Sequence, residues 1–262
     1  HINVLSQNRG TPNMAFIGAF GDPVLQGLDG KWVELTVGAF DWSIREVTQE
    51  EADAWWEGHK PQEITVPAMD TSVTDLTDIP DLLSFDEVPG PEDPPTKEAM
   101  KAALAAAIPA FGGKASHYAG FTYMGEDVPH PQAFAIPVHY YVQHMTEHGL
   151  YDVVETMMAD PDFQEDGVVR ADKLDDLRDA IKAAPVDADF LAAVITKMET
   201  DFPGVRMRFR SSTNAEDLDG FTGAGLYTSK SGDLSDPERP VEDAIRKVWA
   251  SIWNYKAYDE RA

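Results

Sequence analysis

Between Val138 and Met198 the apolar residues recur at helical spacing, and every run is cut short by a glycine or a proline. Val138, Tyr141, Val142 and Met145 fall on one helical face, and Gly149 closes that segment. Leu150, Val153, Val154, Met157 and Met158 repeat the pattern up to Asp160-Pro161. Leu174, Leu177 and Ile181 mark a third helix ended by Pro185, and Phe190, Leu191, Val194, Ile195 and Met198 mark a fourth. Such a chain must build short amphipathic helices, each with one stripe to bury.

The flanking text differs. Trp32 to Val37 alternates as a half-buried strand does, after the turn signal Asp29-Gly30, so residues 1–45 read as a small α/β or β-rich unit. Residues 46–95 combine acids around Trp55 and Trp56 with Pro67, Pro80, Pro89, Pro91, Pro94 and Pro95, and are expected to be a connector with short ordered pieces. From Thr96, a plausible N-cap with Glu98 in the first turn, an Ala-rich helix is expected to run to Ile108 and to end at Pro109. Phe111-Gly112-Gly113-Lys114 then reads as a glycine turn into another short helix. Val205 to Arg210 alternates as a strand, Gly220 to Gly225 is a glycine-rich loop, and about Pro240 to Tyr255 is a helix with Val241, Ala244, Ile245, Val248, Trp249 and Ile252 inward.

Composition narrows the function. With 43% hydrophobic and 26% charged residues over 262 positions, a packed core is expected. The 21 Lys and Arg face 46 Asp and Glu, a formal net charge of −25, which disfavours nucleic acid and anionic membrane surfaces as partners. No apolar stretch approaches the roughly 18 residues of a membrane span; Ala99 to Phe111 is broken by Lys101 and Pro109. The chain has no cysteine, which excludes disulfides, thiolate zinc sites and cysteine nucleophiles and fits a reducing, cytoplasmic location. It begins at His1 without a leader pattern and is expected to be a piece of a longer protein.

Basic residues are unevenly placed. None lies between Lys114 and Arg170, whereas residues 201–262 hold 9 basic and 11 acidic side chains. Arg206, Arg208 and Arg210 alternate along the predicted strand and so share a face, an arrangement that suits a polyphosphate because guanidinium groups bind phosphate oxygens through paired donors. A solvated edge strand offset by nearby acids would carry the same pattern. Arg210 differs from the other two because Ser211-Ser212-Thr213 follows it and adds hydroxyl donors. Gly220-Phe221-Thr222-Gly223-Ala224-Gly225 could present backbone N–H groups to an anion, although it is neither a Walker loop nor a dinucleotide fingerprint. His144 and His148 stand one helical turn apart, as do many metal-ligand pairs, but neither His139 nor any other residue supplies an evident third ligand, and a solvated helix face is the favoured reading.

Taken in order, Arg210-Ser211-Ser212-Thr213-Asn214-Ala215-Glu216-Asp217-Leu218 and Gly220 to Tyr227 resemble the nucleotide-binding domain of the phosphoenolpyruvate synthase and pyruvate phosphate dikinase superfamily. Gly112-Gly113-Lys114-Ala115, the stretch Val128 to Pro137 and the closing Ala244 to Trp253 are similar to further blocks of that family, so the resemblance covers roughly residues 97–262. It implies an α/β (α+β) fold, with the first lobe of an ATP-grasp domain over 96–262, an acidic linker over 46–95 and the remnant of a phosphohistidine swivelling domain over 1–45. It further implies that Lys114 and Arg210 contact ATP phosphate, with Ser211 beside them, and that Thr222, Gly223, Ala224 and Gly225 lie over the phosphates. His1, in a segment similar to the family's carrier-histidine motif, would accept the β-phosphate of ATP and pass it to a small-molecule acceptor such as pyruvate. A glucan or antibiotic acceptor, or a non-catalytic binding module, are the rival readings. The resemblance also implies Mg²⁺, whose ligands are expected in a second lobe beyond Ala262; the chain by itself is expected to form one wall of the cleft and to bind ATP weakly.

Overall fold

A computed structural model describes residues 11–59, 66–86, 89–90, 93–125, 128–215, 225–259 and 261. The chain divides into two compact units, the first over residues 1–65 and 219–225 and the second over 66–218 and 226–262. Helices and small antiparallel ladders make up an α+β architecture. Among the described residues, no helix is long and apolar enough to cross a membrane.

In the first unit, Asp22 caps the short helix α1 (Pro23–Gly27) by accepting from the N–H groups of Val24 and Leu25, with Pro23 supplying a preset φ at the first position. The expected strand is β1 (Val33–Val37), paired antiparallel with β2 (Trp42–Glu46) so that Leu35 faces Ile44 and Glu34 faces Arg45. Arg45 also reaches Glu51 at the start of α2 (Gln49–His59). That helix falls in the stretch expected to be a connector.

The second unit is built around three apolar clusters. The first forms along α3 (Lys97–Phe121), which Thr96 caps through its hydroxyl at 3.2 Å from the Ala99 N–H, as its position predicts. Ala103, Ala107, Ala110 and Phe111 of this helix bury against Ile79, Leu82 and Leu83. Residues 66–86, also expected to be connector, are therefore part of the packed unit. They supply β3 (Thr77–Asp78), which pairs with β4 (Phe134–Ala135), and the Asp70 N–H donates to Pro109 O at 2.9 Å. Three buried branched side chains at about 1.5–3 kcal/mol each outweigh what the proline-rich composition of this stretch suggests.

The second and third clusters come from the punctuated helices: α4 (Val138–Glu147), α5 (Leu150–Met158), α6 (Pro161–Glu165), α7 (Gly167–Ala183) and α8 (Ala188–Asp201). Gly149 takes φ 63°, the left-handed conformation that closes α4, and Asp160, Asp166 and Asp187 cap the next three breaks. Met145, Leu150, Met157, Phe163, Leu174, Leu177 and Ile181 form one cluster. Phe190, Val194 and Met198 pack with Val241 and Ile245 of α9 (Val241–Ala250) in the other. Tyr141 packs on the first of these; its hydroxyl accepts from Trp253 Nε1 at 2.9 Å, and desolvation raises its pKa.

The three histidines near α4 serve this packing. His144 Nε2–H donates to Ile181 O at 3.1 Å, His148 Nε2–H donates to Pro185 O at 2.9 Å, and the His139 ring bonds to Thr71 O at 2.8 Å. Donation from Nε2 leaves His144 Nδ1 unprotonated, and that atom is buried with no hydrogen-bond partner among the described residues. Burial lowers the His144 pKa, with His148 and Arg246 adding to the effect, while the bond to Ile181 and the charge of Glu147 oppose it. The folded chain thus resists a proton that the unfolded chain accepts near the ordinary value of 6.5. The His144 contribution to stability is full above that pH and is lost as pH falls toward the depressed folded pKa. Thermal melts at pH 7.5 and pH 5 should show wild type losing more than His144→Gln, which keeps the donor to Ile181; equal losses would contradict this role.

Candidate functional site

The candidate site begins at a break in α3. Pro109 does not end this helix as expected; helical backbone continues to Phe111, and the break comes at Gly112, with φ 78° and ψ 169°. The Gly113 N–H, which an unbroken helix would aim at Pro109 O, donates instead to Thr213 O at 2.8 Å. The Ala115 N–H, which would seek Phe111 O, donates to Ser212 Oγ at 2.9 Å, and that hydroxyl donates onward to Phe111 O at 2.7 Å. Ser212 is inserted into the helical hydrogen-bond ladder, a recognised cause of a kink. Ser116 Oγ closes the turn on Gly112 O at 2.8 Å. The glycine turn expected at Phe111 to Lys114 is thus present, and a segment about a hundred residues away holds it open.

That segment leaves β5 (Met207–Phe209), a shorter strand than Val205 to Arg210, paired antiparallel with β6 (Lys230–Gly232). The predicted alternation holds. Met207 and Phe209 are half-buried and pack on the third cluster, while Arg206, Arg208 and Arg210 are exposed. The three arginines differ in their surroundings. Arg206 Nε lies 3.2 Å from Asp233, whose pKa is held down by the Ser235 hydroxyl and N–H and then by this arginine. Arg208 donates to Ser231 Oγ at 3.2 Å. Arg210 is exposed and has no ion-pair or hydrogen-bond partner among the described residues. Arg206, offset by Asp233, fits the solvated-edge reading, and an exposed Arg210 is compatible with it as well.

Lys114 extends from the helix restart toward the same segment. Its Nζ lies 3.5 Å from Ser211 Oγ, a long hydrogen bond, and 5.5 Å from the centre of the Tyr227 ring. Ser211 is buried. Of the residues expected at the site, Lys114 and Ser211 are in contact with each other. Beyond Thr213, Asn214 donates to Pro67 O, which ties this loop to the segment expected to be connector. Of the remaining expected residues, Gly225 is described, with φ 78°. His1, Thr222, Gly223 and Ala224, together with Glu216 and Asp217, lie outside the described residues.

Among the described residues no group of three or more His, Asp or Glu side chains could hold a metal ion. His144 and His148 have their Nε2 atoms committed to carbonyl oxygens.

Reasoning from sequence assigned no part to Ser212 and Thr213 beyond adding hydroxyls, nor any to Tyr227 and Arg261. Ser212 had a signal of sorts: a hydroxyl residue beside a glycine-rich helix break can supply the missing cap, although nothing in a linear text says which break. The demand on Gly112 is steric as well as conformational. A Cβ there would sit 2.3 Å from both C and O of Ser212, backbone atoms that cannot step aside. Gly112→Ala should therefore destabilise the protein by about 3 kcal/mol or more. Gly120→Ala, farther along the same helix, meets only Met100 Sδ at 3.8 Å and should stabilise by about 0.5–1 kcal/mol. Urea titration of both variants measures the contrast, and similar effects would contradict this account of the turn.

A family model described as the AMP/ATP-binding domain of pyruvate phosphate dikinase matches residues 108–262, more than half of the chain, including the Gly112 turn, Lys114 and the Arg210 to Thr213 segment. Comparisons with curated proteins and with solved structures give no match.

Proposed function

Since the chain belongs to the family of the pyruvate phosphate dikinase AMP/ATP-binding domain, we propose that the Gly-Gly-Lys turn and the Arg-Ser-Ser-Thr segment form the phosphate-facing part of its nucleotide site, within an ATP-dependent phosphotransferase of dikinase type. One observation carries this reading. The hydrogen bonds of Gly113 and Ala115 to Thr213 and Ser212 join two segments whose cationic residues are of the kinds that bind phosphate.

In this reading Lys114 contributes a compact point charge, while the exposed Arg210 guanidinium offers paired donors to phosphate oxygens. Phosphoryl transfer requires little covalent work from a protein and relies on position and charge neutralisation. Seating the lysine on a restarted helix and the arginine next to a hydrogen-bonded loop supports that need. The loop Thr222 to Gly225 would cover the phosphates. The reaction proposed is transfer of the β-phosphate of ATP to a carrier histidine, with AMP as the leaving group and the γ-phosphate passing to water or inorganic phosphate, and then from the histidine to a small acceptor such as pyruvate.

Arg210→Ala should weaken ATP binding at least fivefold and leave unfolding within about 0.5 kcal/mol of wild type, because an exposed side chain with no partner among the described residues adds little to stability. Lys114→Met should also weaken ATP. Isothermal titration with ATP and a urea titration check both; unchanged affinity in both variants would remove the proposed site.

The carrier role of His1 rests on the resemblance of its segment alone. A neutral imidazole nitrogen is a competent nucleophile near neutral pH. Incubation with ATP labelled in the β-phosphate and Mg²⁺ should give acid-labile, base-stable label on the His1 peptide, lost in His1→Ala. Label on another peptide, or nucleotide turnover with no label, would exclude His1 from the reaction.

A further inference from the structure

The segment that follows the glycine-rich loop is clamped to the last helical turns of the chain. Leu226 O accepts from Asn254 Nδ2 at 2.7 Å, and the Thr228 N–H donates to Ser251 Oγ at 3.0 Å. Between these two anchors stands Tyr227, half-buried, with a different partner at each end. Its ring lies under the Lys114 ammonium at 5.5 Å. Its hydroxyl accepts from Arg261 Nη1 at 3.1 Å, and the same guanidinium donates through Nη2 to Ile252 O at 2.7 Å. The Arg261 backbone is fixed in turn by its N–H bond to Tyr258 O at 2.9 Å.

We propose that Tyr227 is a positioning residue for the nucleotide site: its ring holds the Lys114 ammonium toward Ser211, and its hydroxyl anchors that ring to Arg261 and the carboxy-terminal helical turn. The inference rests on the reading of Lys114 as a phosphate ligand. A flexible lysine spends rotamer entropy on each contact it makes. An aromatic face that attracts the ammonium narrows its rotamers in advance, without competing for the hydrogen-bond donors that a phosphate oxygen would use. The anchored segment 226–228 and the placed lysine thereby meet at the same tyrosine.

The test is titration of ATP, ADP and adenosine into wild type, Tyr227→Phe, Tyr227→Leu, Tyr227→Met and Lys114→Met, with circular dichroism to confirm folding. Tyr227→Leu should weaken ATP and ADP about two- to fivefold, the range of a partly exposed cation–π contact, and leave adenosine unchanged. Tyr227→Met fills similar volume without a π face and gives the same readout should the leucine variant unfold. Tyr227→Phe keeps the ring and should restore ATP affinity to within about twofold. Equal losses for ATP and adenosine would make Tyr227 a structural residue and overturn the inference. Wild-type ATP affinity in both the leucine and methionine variants, while Lys114→Met binds weakly, would overturn it and leave the nucleotide site standing. Unchanged ATP binding in Lys114→Met would instead overturn the reading on which it rests.

Discussion

A single hydroxyl inside a broken helix organises the candidate site. Ser212 Oγ accepts from the Ala115 N–H and donates to Phe111 O, taking the place of a helical hydrogen bond that Gly112 has opened. Each bond of this kind is worth about 1 kcal/mol net, yet leaving the buried partners unmade would cost more. Without the insertion, the amides at the restart of α3 would face a buried environment unpaired. With it, the loop after β5 is held against the helix, Lys114 emerges beside Ser211, and the Pro109 carbonyl takes the Asp70 N–H from the strand-bearing segment below.

Much of this was legible because it is local. Thr96, Asp160-Pro161 and Gly149 act on their immediate neighbours, and a cap or a left-handed glycine needs no tertiary partner to be recognised. The helical faces of α4, α5, α7 and α8 were legible for the same reason, since a period of 3.6 residues is written in the order of side chains. What escaped was long-range. Residues 66–86 look like a proline-rich connector until Ile79, Leu82 and Leu83 are seen buried against α3. Pro109 should stop a helix by its own geometry, but Ala107, Ala110 and Phe111 bury around it, and the true break falls where glycine allows a positive φ. Lys114 and Arg210 were identifiable as residue types. That Ser212 would complete the helix around Lys114, or that Tyr227 would lie beneath it, depends on contacts between residues about a hundred positions apart.

Charge gives the site its contrast. In a chain of formal net charge −25, an anionic ligand is repelled at long range and needs a local cationic setting. The fold spends most of its arginines and lysines on nearby acids, as with Arg206 on Asp233, Lys197 between Asp78 and Asp201, and Arg246 on Asp243. Among the described residues Arg210 has no such acid, a condition it shares with the exposed Lys97, Lys101, Lys230 and Lys256; what sets it apart is its place next to Ser211. The family to which the chain belongs is that of an AMP/ATP-binding domain, and in so acidic a chain exposed cations are the groups able to attract such an anion.

The central claim is that the helix restart and the loop after β5 form one phosphate-facing site. Backbone amide chemical shifts of isotope-labelled protein, followed during titration with ATP and separately with adenosine, test it most directly. ATP should shift the amides of Gly113 to Ala115 and of Arg210 to Ser212 together, and adenosine should leave both segments largely unmoved. ATP binding that shifts neither segment, or one without the other, would contradict the claim.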